Sequence, residues 1–190
     1  MANSNQALSP KLEAVLIRLG KAVPLNVTQA VKLPYLVDVV AVHVLGRRIT
    51  EGTHQAWDYG VVTKEVWHYL DKCEDPSVFH LDPVPWSEEK RVVIDAEEPA
   101  SELMPEEQQI VDFVAQELAA IRAGDLGRLT KFMNPDISSW GSNRAADLGP
   151  HAYDRMTEDY QRMASQAASV TLDQLRRAST RVDDIEDAVA

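Results

Sequence analysis

Apolar residues recur along the chain at intervals of three and four, in segments separated by short polar, glycine or proline-containing stretches, which predicts a mainly helical protein. The first helix is predicted to begin after an N-cap at Ser9, with proline in its first position, and to end at Gly20. A second helix is predicted from Asn26, which forms a capping-box pair with Gln29, to about Leu45. Because this helix is apolar on nearly all sides, we expect it to be the central buried helix.

Two features interrupt the helical pattern in this part of the chain. Pro34 lies inside the second helix, where its missing backbone N–H predicts a kink or a division. Beyond the helix the hydrophobic period changes, and residues 47–50 and 53–57 predict the two arms of a short β-hairpin that turns at Glu51-Gly52. Thr63 is then predicted to cap a third helix.

The middle of the chain combines an irregular segment with two further helices. Residues 75–99 hold four prolines and predict irregular structure, except for a lone strand at 91–95 that is expected to pair with the hairpin. A fourth helix is predicted over about 105–123, and a fifth, capped by Asp125, over about 125–134.

The last part of the chain predicts a loop and then two more helices. Residues 135–149 read as a loop that contains Trp140, and apolar residues in 150–190 repeat at the spacing of two amphipathic helices that pack on the core. The predicted fold is therefore mainly α, of the α+β class. It comprises a compact helical domain over 1–149 with a small antiparallel β-hairpin or three-stranded sheet, and a helical extension over 150–190.

The composition is typical of a soluble globular protein, with 45% hydrophobic and 26% charged residues. Cys73 is the single cysteine, so no intramolecular disulfide can form, and the longest apolar segment, 27–45, is interrupted by polar residues. We therefore expect a cytoplasmic protein that does not insert into membranes. The net charge of −11 makes direct nucleic-acid binding unlikely and suits a basic protein partner, although acidity also serves solubility.

Motifs for catalysis and for metal binding are missing from the sequence. The five histidines show no standard ligand spacing, and there is no Gly-x-Ser-x-Gly elbow, phosphate loop or dinucleotide fingerprint. We therefore expect no enzymatic activity, no cofactor and no metal. An enzyme that uses Asp38, His54 and Asp58 is the competing hypothesis.

Asp38 is an acidic residue within the most apolar helix of the chain. A buried carboxylate needs hydrogen bonds or a cation, and the candidate partners are Arg47, Arg48, Trp57 and Tyr59. Either Asp38 lies where the helix meets solvent, or it anchors the hairpin or a ligand. Of these, the first interpretation, in which Asp38 lies where the helix meets solvent, is favoured.

The stretch "QAWDYG" at 55–60 places two aromatic residues beside a glycine. Trp57 is predicted to pack the hairpin onto the second helix near residues 35–38, and Gly60 to turn the chain into the third helix. The alternative is that Trp57 and Tyr59 form a partner-binding hot spot.

Four short segments, taken together and in order, resemble a known family. They are "KLPYLVD" at 32–38, "GRRIT" at 46–50, "AWDYGVV" at 56–62 and "EVW" at 65–67. This order and spacing are similar to the Panacea domain, the antitoxin domain of many bacterial and phage toxin–antitoxin systems. The likeness is good over about the first 75 residues and weaker over 126–140. Pro34 and Val61 depart from the family pattern.

The resemblance implies a mainly helical domain with a small antiparallel sheet and no catalytic role. It implies an antitoxin of a type II system that neutralises a cognate protein toxin by direct binding. The alternatives are a phage or host interaction protein, or a proteolytic adaptor, on the same fold without a toxin; a homo-oligomer also stays open. The positions expected to serve as scaffold or in partner binding are Tyr35, Asp38, Arg48, Trp57, Tyr59, Gly60 and Trp140.

Overall fold

The computed structural model describes residues 8–72, 78–97, 99, 102–134, 146–149 and 152. This part of the chain contains five α-helices and six short antiparallel strands, so the predicted α+β class is confirmed. Trp140 and the two predicted C-terminal helices lie outside the described residues, and the division at residue 149 stays a prediction.

Helix α1 spans Pro10–Ala22 and starts as its sequence predicts. The Ser9 hydroxyl accepts a hydrogen bond from the backbone N–H of Leu12 at 3.3 Å. The prediction that Gly20 ends the helix is wrong, because the helix continues to Ala22. A Cβ at Gly20 would lie 2.4 Å from Cγ1 of Ile94, so this glycine provides space for a neighbouring strand.

Helix α2 spans Val27–Leu45 and is capped at both ends. The backbone and side chain of Asn26 exchange two 2.9 Å hydrogen bonds with Gln29, which confirms the predicted capping box. Gly46 ends the helix in the left-handed region with φ 67°. The helix runs on through Pro34, so the predicted division of α2 does not occur.

The remaining helices are shorter. Helix α3 spans Lys64–Lys72, α4 spans Pro105–Phe113 and α5 spans Ala123–Phe132. The fourth helix is not a single α-helix to residue 123, because the chain changes to a π-helical segment over Val114–Leu118. Asp125 lies in the first turn of α5 and is not its N-cap residue, contrary to the prediction.

Helix α2 is the centre of the core, as its sequence predicts. Every residue from Ala30 to Ala41 is buried, and α2 contacts α1, α3, α4 and α5. By length and composition alone α2 could also cross a membrane. Here 67% of that apolar window is buried inside the fold, which is the arrangement of a core helix.

Helix α4 is joined to α1 and to the end of α2 by charged side chains. The buried carboxylate of Glu107 accepts hydrogen bonds from Lys11 Nζ at 2.7 Å and Arg47 Nη1 at 2.6 Å. Arg18 on α1 also makes a two-pronged contact with Asp112, at 2.7 and 2.8 Å. Because the carboxylate of Glu107 is buried, removing its cationic partners would leave an uncompensated charge in the interior.

The first of two small sheets has the strand order β1-β5-β4. Strand β1 is Leu25–Asn26, β4 is Phe79–Pro83 and β5 is Lys90–Ile94. The expectation that the lone strand at 91–95 pairs with the earlier hairpin is wrong. Strand β5 instead forms its own hairpin with β4, and β1 pairs with its other edge.

The second sheet has the order β3-β2-β6, with β2 at His54–Trp57, β3 at Gly60–Thr63 and β6 at Ala146–Asp147. The hairpin therefore turns at Asp58-Tyr59, and the predicted pairing of 47–50 with 53–57 is wrong. The sequence predicts a loop over 135–149, and this is wrong for residues 146–147, which pair with β2.

Candidate functional site: a buried polar network and the adjoining hairpin turn

Asp38 lies at the centre of the most extensive buried polar network in the described chain, and its side chain is fully buried. Its Oδ1 accepts hydrogen bonds from the backbone N–H groups of Ile49 at 2.8 Å and Thr50 at 2.9 Å. Its Oδ2 accepts from Arg48 Nε at 2.9 Å, the Thr50 hydroxyl at 2.6 Å and His54 Nε2 at 2.8 Å. The carboxylate therefore joins the middle of α2 to the 47–54 loop and β2.

This arrangement decides between the two interpretations of Asp38. The favoured interpretation, that Asp38 lies where α2 meets solvent, is wrong, because the carboxylate is fully buried and anchors the loop and hairpin. Arg48 is the cation among its predicted partners, whereas Arg47 binds Glu107. Burial alone would raise the pKa of Asp38, but the hydrogen bond from His54 and the charge of Arg48 outweigh it and lower the pKa to about 2.

His54 was not among the predicted partners of Asp38, yet it is buried against that carboxylate. Burial lowers the pKa of His54, although Asp38 acts in the opposite direction. In the neutral ring Nε2–H donates to Asp38, so Nδ1 accepts from the Thr63 hydroxyl at 3.1 Å. The imidazole therefore connects the carboxylate on α2 to both strands of the hairpin, and its tautomer is fixed by its neighbours.

Tyr35 packs beside this network, one turn before Asp38 on α2. Its ring meets the ring of His54 edge-on, with centroids 5.6 Å apart. Its hydroxyl donates to the carbonyl of Ala152 at 2.7 Å and accepts from Asn134 Nδ2 at 3.0 Å. A fully buried phenol thus links α2 to the end of α5 and to the chain beyond β6.

Trp57 lies on the opposite face of β2 from His54, because successive strand residues point to opposite sides. Its ring meets Trp67 of α3 at a centroid distance of 5.4 Å, and its indole N–H donates to Gln55 at 3.1 Å. The prediction that Trp57 packs the hairpin onto residues 35–38 is therefore wrong. The ring that meets Tyr35 is that of His54.

Lys32 holds the hairpin turn against α2 from the inside. Its Nζ donates to the carbonyl oxygens of Tyr59 at 2.8 Å and Val61 at 2.9 Å, while the side chain is almost fully buried. Burial, together with the charge of Lys131, lowers the pKa of Lys32 to about 7. Sequence pattern alone could have flagged this residue, because it is a lysine inside the apolar helix.

Two glycines allow the hairpin turn to touch α5. A Cβ at Gly60, whose φ is 102°, would lie 2.5 Å from the Thr130 hydroxyl and 2.6 Å from the carbonyl oxygen of Gly127. A Cβ at Gly127 would lie 2.6 Å from the carbonyl oxygen of Tyr59. The Thr130 hydroxyl in turn accepts the backbone N–H of Val61 at 3.0 Å. Gly60 therefore leads the chain into β3, and not into the third helix as predicted.

A cleft of about 290 Å³ opens beside this turn and is lined by residues of α2, the turn and α5. Tyr59 lies on its rim with 86% of its surface exposed, and Lys32, Asp58, Arg128 and Lys131 contribute ionisable groups to its wall. Asp38 and His54 do not line this cleft. The three residues of the enzyme hypothesis are thus divided between a closed interior network and an open surface.

Histidine, cysteine and carboxylate side chains do not assemble a metal site in the described residues, since no group of three or more could hold an ion there. The carboxylate of Asp38 and the amine of Lys32 instead have protein hydrogen-bond partners. The arrangement holds the 47–54 loop and the hairpin in fixed positions on α2 and α5.

This fold, with its closed carboxylate network beneath a hairpin, defines a helical scaffold of the α+β class. The family described as "Antitoxin SocA-like, Panacea domain" matches residues 31–134, more than half of the chain, and the protein belongs to this family. The matched segment contains Asp38, Arg48, His54 and both glycines of the hairpin contact. No curated protein and no solved structure matches the chain.

Proposed function

We propose that this protein is the antitoxin of a type II toxin–antitoxin system and neutralises a protein toxin by direct binding. The observation that carries the proposal is membership of the SocA-like Panacea family, over a segment that includes the whole buried network. Family membership supplies the antitoxin role, and the structure supports a binding mechanism for it.

A non-catalytic role is part of the same proposal. Asp38 and His54 are both fully buried, and their hydrogen bonds hold the 47–54 loop and the hairpin. A general base must lie within hydrogen-bond reach of its substrate, directly or through one water, and neither group borders the cleft. These residues therefore serve the proposed function by giving the hairpin a fixed shape.

The charge of the chain indicates the kind of partner. A net charge of −11 accelerates association with a basic protein and opposes contact with phosphate backbones and anionic lipid. We therefore propose that the partner is a basic protein toxin and that the two proteins bind in the cytoplasm. Nucleic acid and membranes have no direct role in this proposal.

Co-expression with the product of the adjacent open reading frame tests the proposal. We expect that product to arrest growth when it is expressed alone, and growth to recover when this chain is present. The two proteins should then copurify as a complex. An unrelated acidic protein of similar size and charge, expressed in place of this chain, controls for neutralisation by charge alone. A product that is harmless alone and does not bind would contradict the proposal.

A further inference from the structure

Trp86 stands fully exposed at the end of the β4–β5 hairpin. Tryptophan is highly buried on average in folded proteins, so a side chain wholly in water is informative. Aromatic residues are enriched at protein interfaces, and tryptophan above all among the residues that dominate binding energy. The exposure of this indole therefore indicates that it belongs to a surface that binds another protein.

The hairpin tip that carries Trp86 is held in a defined shape. The backbone N–H of Val84 donates to the carbonyl of Glu89 at 3.1 Å, and that of Ser87 donates back to Val84 at 3.2 Å. The Ser87 hydroxyl also accepts the backbone N–H of Glu89 at 3.0 Å. An anchor that is ordered before binding loses less conformational entropy when it is captured.

The backbone at Trp86 adopts a conformation that is unusual for a bulky residue. Its φ is 63°, in the left-handed region that glycine, asparagine and aspartate favour. Such a conformation is energetically unfavourable and persists where the surrounding structure imposes it, often at ligand-contacting positions. Here the bonds of the tip impose it, and they direct the indole away from the protein.

Carboxylates lie near Trp86 at the tip of the hairpin, and buried apolar residues hold the base of the hairpin in the core. Glu88 and Glu89 lie two and three residues after it and are exposed, and the exposed Lys90 and Arg91 then begin strand β5. At the base of the hairpin, Phe79 and Val92 are buried in the core, and Leu81 pairs with Val92 across the strands. The hairpin is therefore an arm whose base is fixed in the core. Its tip carries an exposed indole with carboxylates close by.

We propose that Trp86 is the anchor by which this arm binds the toxin, inserting into an apolar pocket that lysine or arginine residues border on the toxin surface. The inference rests on the proposed function and adds a contact point and the chemistry of its receiver. A second copy of this chain is a poor receiver, because the same acidic net charge would face Glu88 and Glu89. The same charge opposes docking on an anionic membrane.

Binding of purified variants to the adjacent open reading frame product tests this inference. Trp86→Ala should raise Kd by about 30-fold or more, the loss typical of a hot-spot tryptophan. Trp86→Phe should keep part of the affinity, and Glu88→Lys with Glu89→Lys should slow association and reduce its salt dependence. Met104→Ala is the matched control, since Met104 is also exposed but lies at the start of α4, and its Kd should not change.

Two further measurements make the result decisive. Thermal unfolding of Trp86→Ala should match that of the wild type, because an exposed side chain leaves the core intact. The fluorescence blue shift on binding should be larger in the wild type than in Trp86→Phe, as expected if this indole becomes buried.

The outcomes separate the inference from the proposed function. If the wild type binds and Trp86→Ala binds within twofold of it, the inference fails while the antitoxin role stands. If the wild type does not bind at all, the proposed function fails and the inference fails with it. Self-association that is lost in Trp86→Ala would overturn the inference by assigning the tip to a second copy.

Discussion

The carboxylate of Asp38 and the imidazole of His54, on different elements, are joined by a 2.8 Å hydrogen bond in the interior of the protein. This contact closes a network in which one side chain of α2 satisfies two backbone N–H groups of a loop and three side-chain donors. The loop and the first hairpin strand therefore take their positions from a single buried charge.

Removal of that charge should destabilise the fold strongly. In Asp38→Asn the new amide N–H₂ cannot accept the hydrogen bonds that Oδ2 now receives, so buried donors lose their partner. We expect a loss of about 3–5 kcal/mol in the free energy of unfolding, measured by urea denaturation. Asp71→Asn, at an exposed position on α3, should change it by less than about 0.5 kcal/mol. Equal stability in the two variants would show that the network contributes little.

Acid should lower the stability of the protein in at least two pH ranges, one set by His54 and one by Asp38. Burial lowers the pKa of His54 below its ordinary 6.5, so near this pH the unfolded chain binds a proton that the native state does not bind. Stability therefore falls as pH drops below about 6.5. The pKa of Asp38 is about 2 against an ordinary 3.8, so a second loss occurs as pH falls from about 4 towards 2.

Comparison with His54→Gln isolates the stability loss that His54 causes in acid. The variant keeps an N–H that can donate to Asp38 but has no group that titrates near neutral pH. Its stability should therefore decline less between pH 7.5 and 5.5 than that of the wild type. His80, whose pKa is raised by its hydrogen bond to Asp95, acts in the opposite direction but equally in both proteins. Parallel declines would contradict the assignment.

Alkaline pH should favour the wild type over Lys32→Met. The pKa of Lys32 is about 7 in the native state and 10.5 when unperturbed, so between these values the unfolded chain holds a proton that the native state has released. The stability of the wild type relative to the variant should therefore rise from pH 7 to pH 10. A neutral amine keeps two N–H groups, enough for the carbonyls of Tyr59 and Val61. A difference that is constant with pH would disprove a lowered pKa.

The hairpin turn should not tolerate a side chain at Gly60. Gly60→Ala places a methyl group 2.5 Å from the Thr130 hydroxyl, at a φ of 102° that alanine disfavours, and should cost about 2 kcal/mol or more. Gly124→Ala is the matched control, since a Cβ there meets nothing within 4 Å and the residue lies in α5. That variant should be neutral or up to about 1 kcal/mol more stable. Calorimetric melting of both proteins decides the question.

The sequence predicted the starts of α1 and α2 and the end of α2 well, because residues next to those positions mark them. Ser9, Asn26 and Gly46 act locally as caps, and the apolar face of α2 is visible from composition alone. The burial of Asp38 could be suspected on the same basis, because a carboxylate in an apolar helix needs partners.

The strand pairings depended on competition between distant groups and were not predictable locally. Gly52 looked like the centre of a hairpin, but the N–H groups of Ile49 and Thr50 are bound by Asp38 and are unavailable for a strand partner. The arm at 53–57 therefore pairs forward, with β3. That register decides that His54 faces Tyr35 and that Trp57 faces Trp67.

The salt bridges of Glu107 show that helix α1 is part of the folded domain. The family match begins at residue 31, yet Lys11 on α1 neutralises Glu107, and Leu12 and Leu16 of the same helix are buried. A polypeptide trimmed to the matched segment would expose the face of α2 that α1 covers and leave Glu107 with fewer counter-charges. The autonomous folding unit is therefore larger than the segment by which the family is recognised.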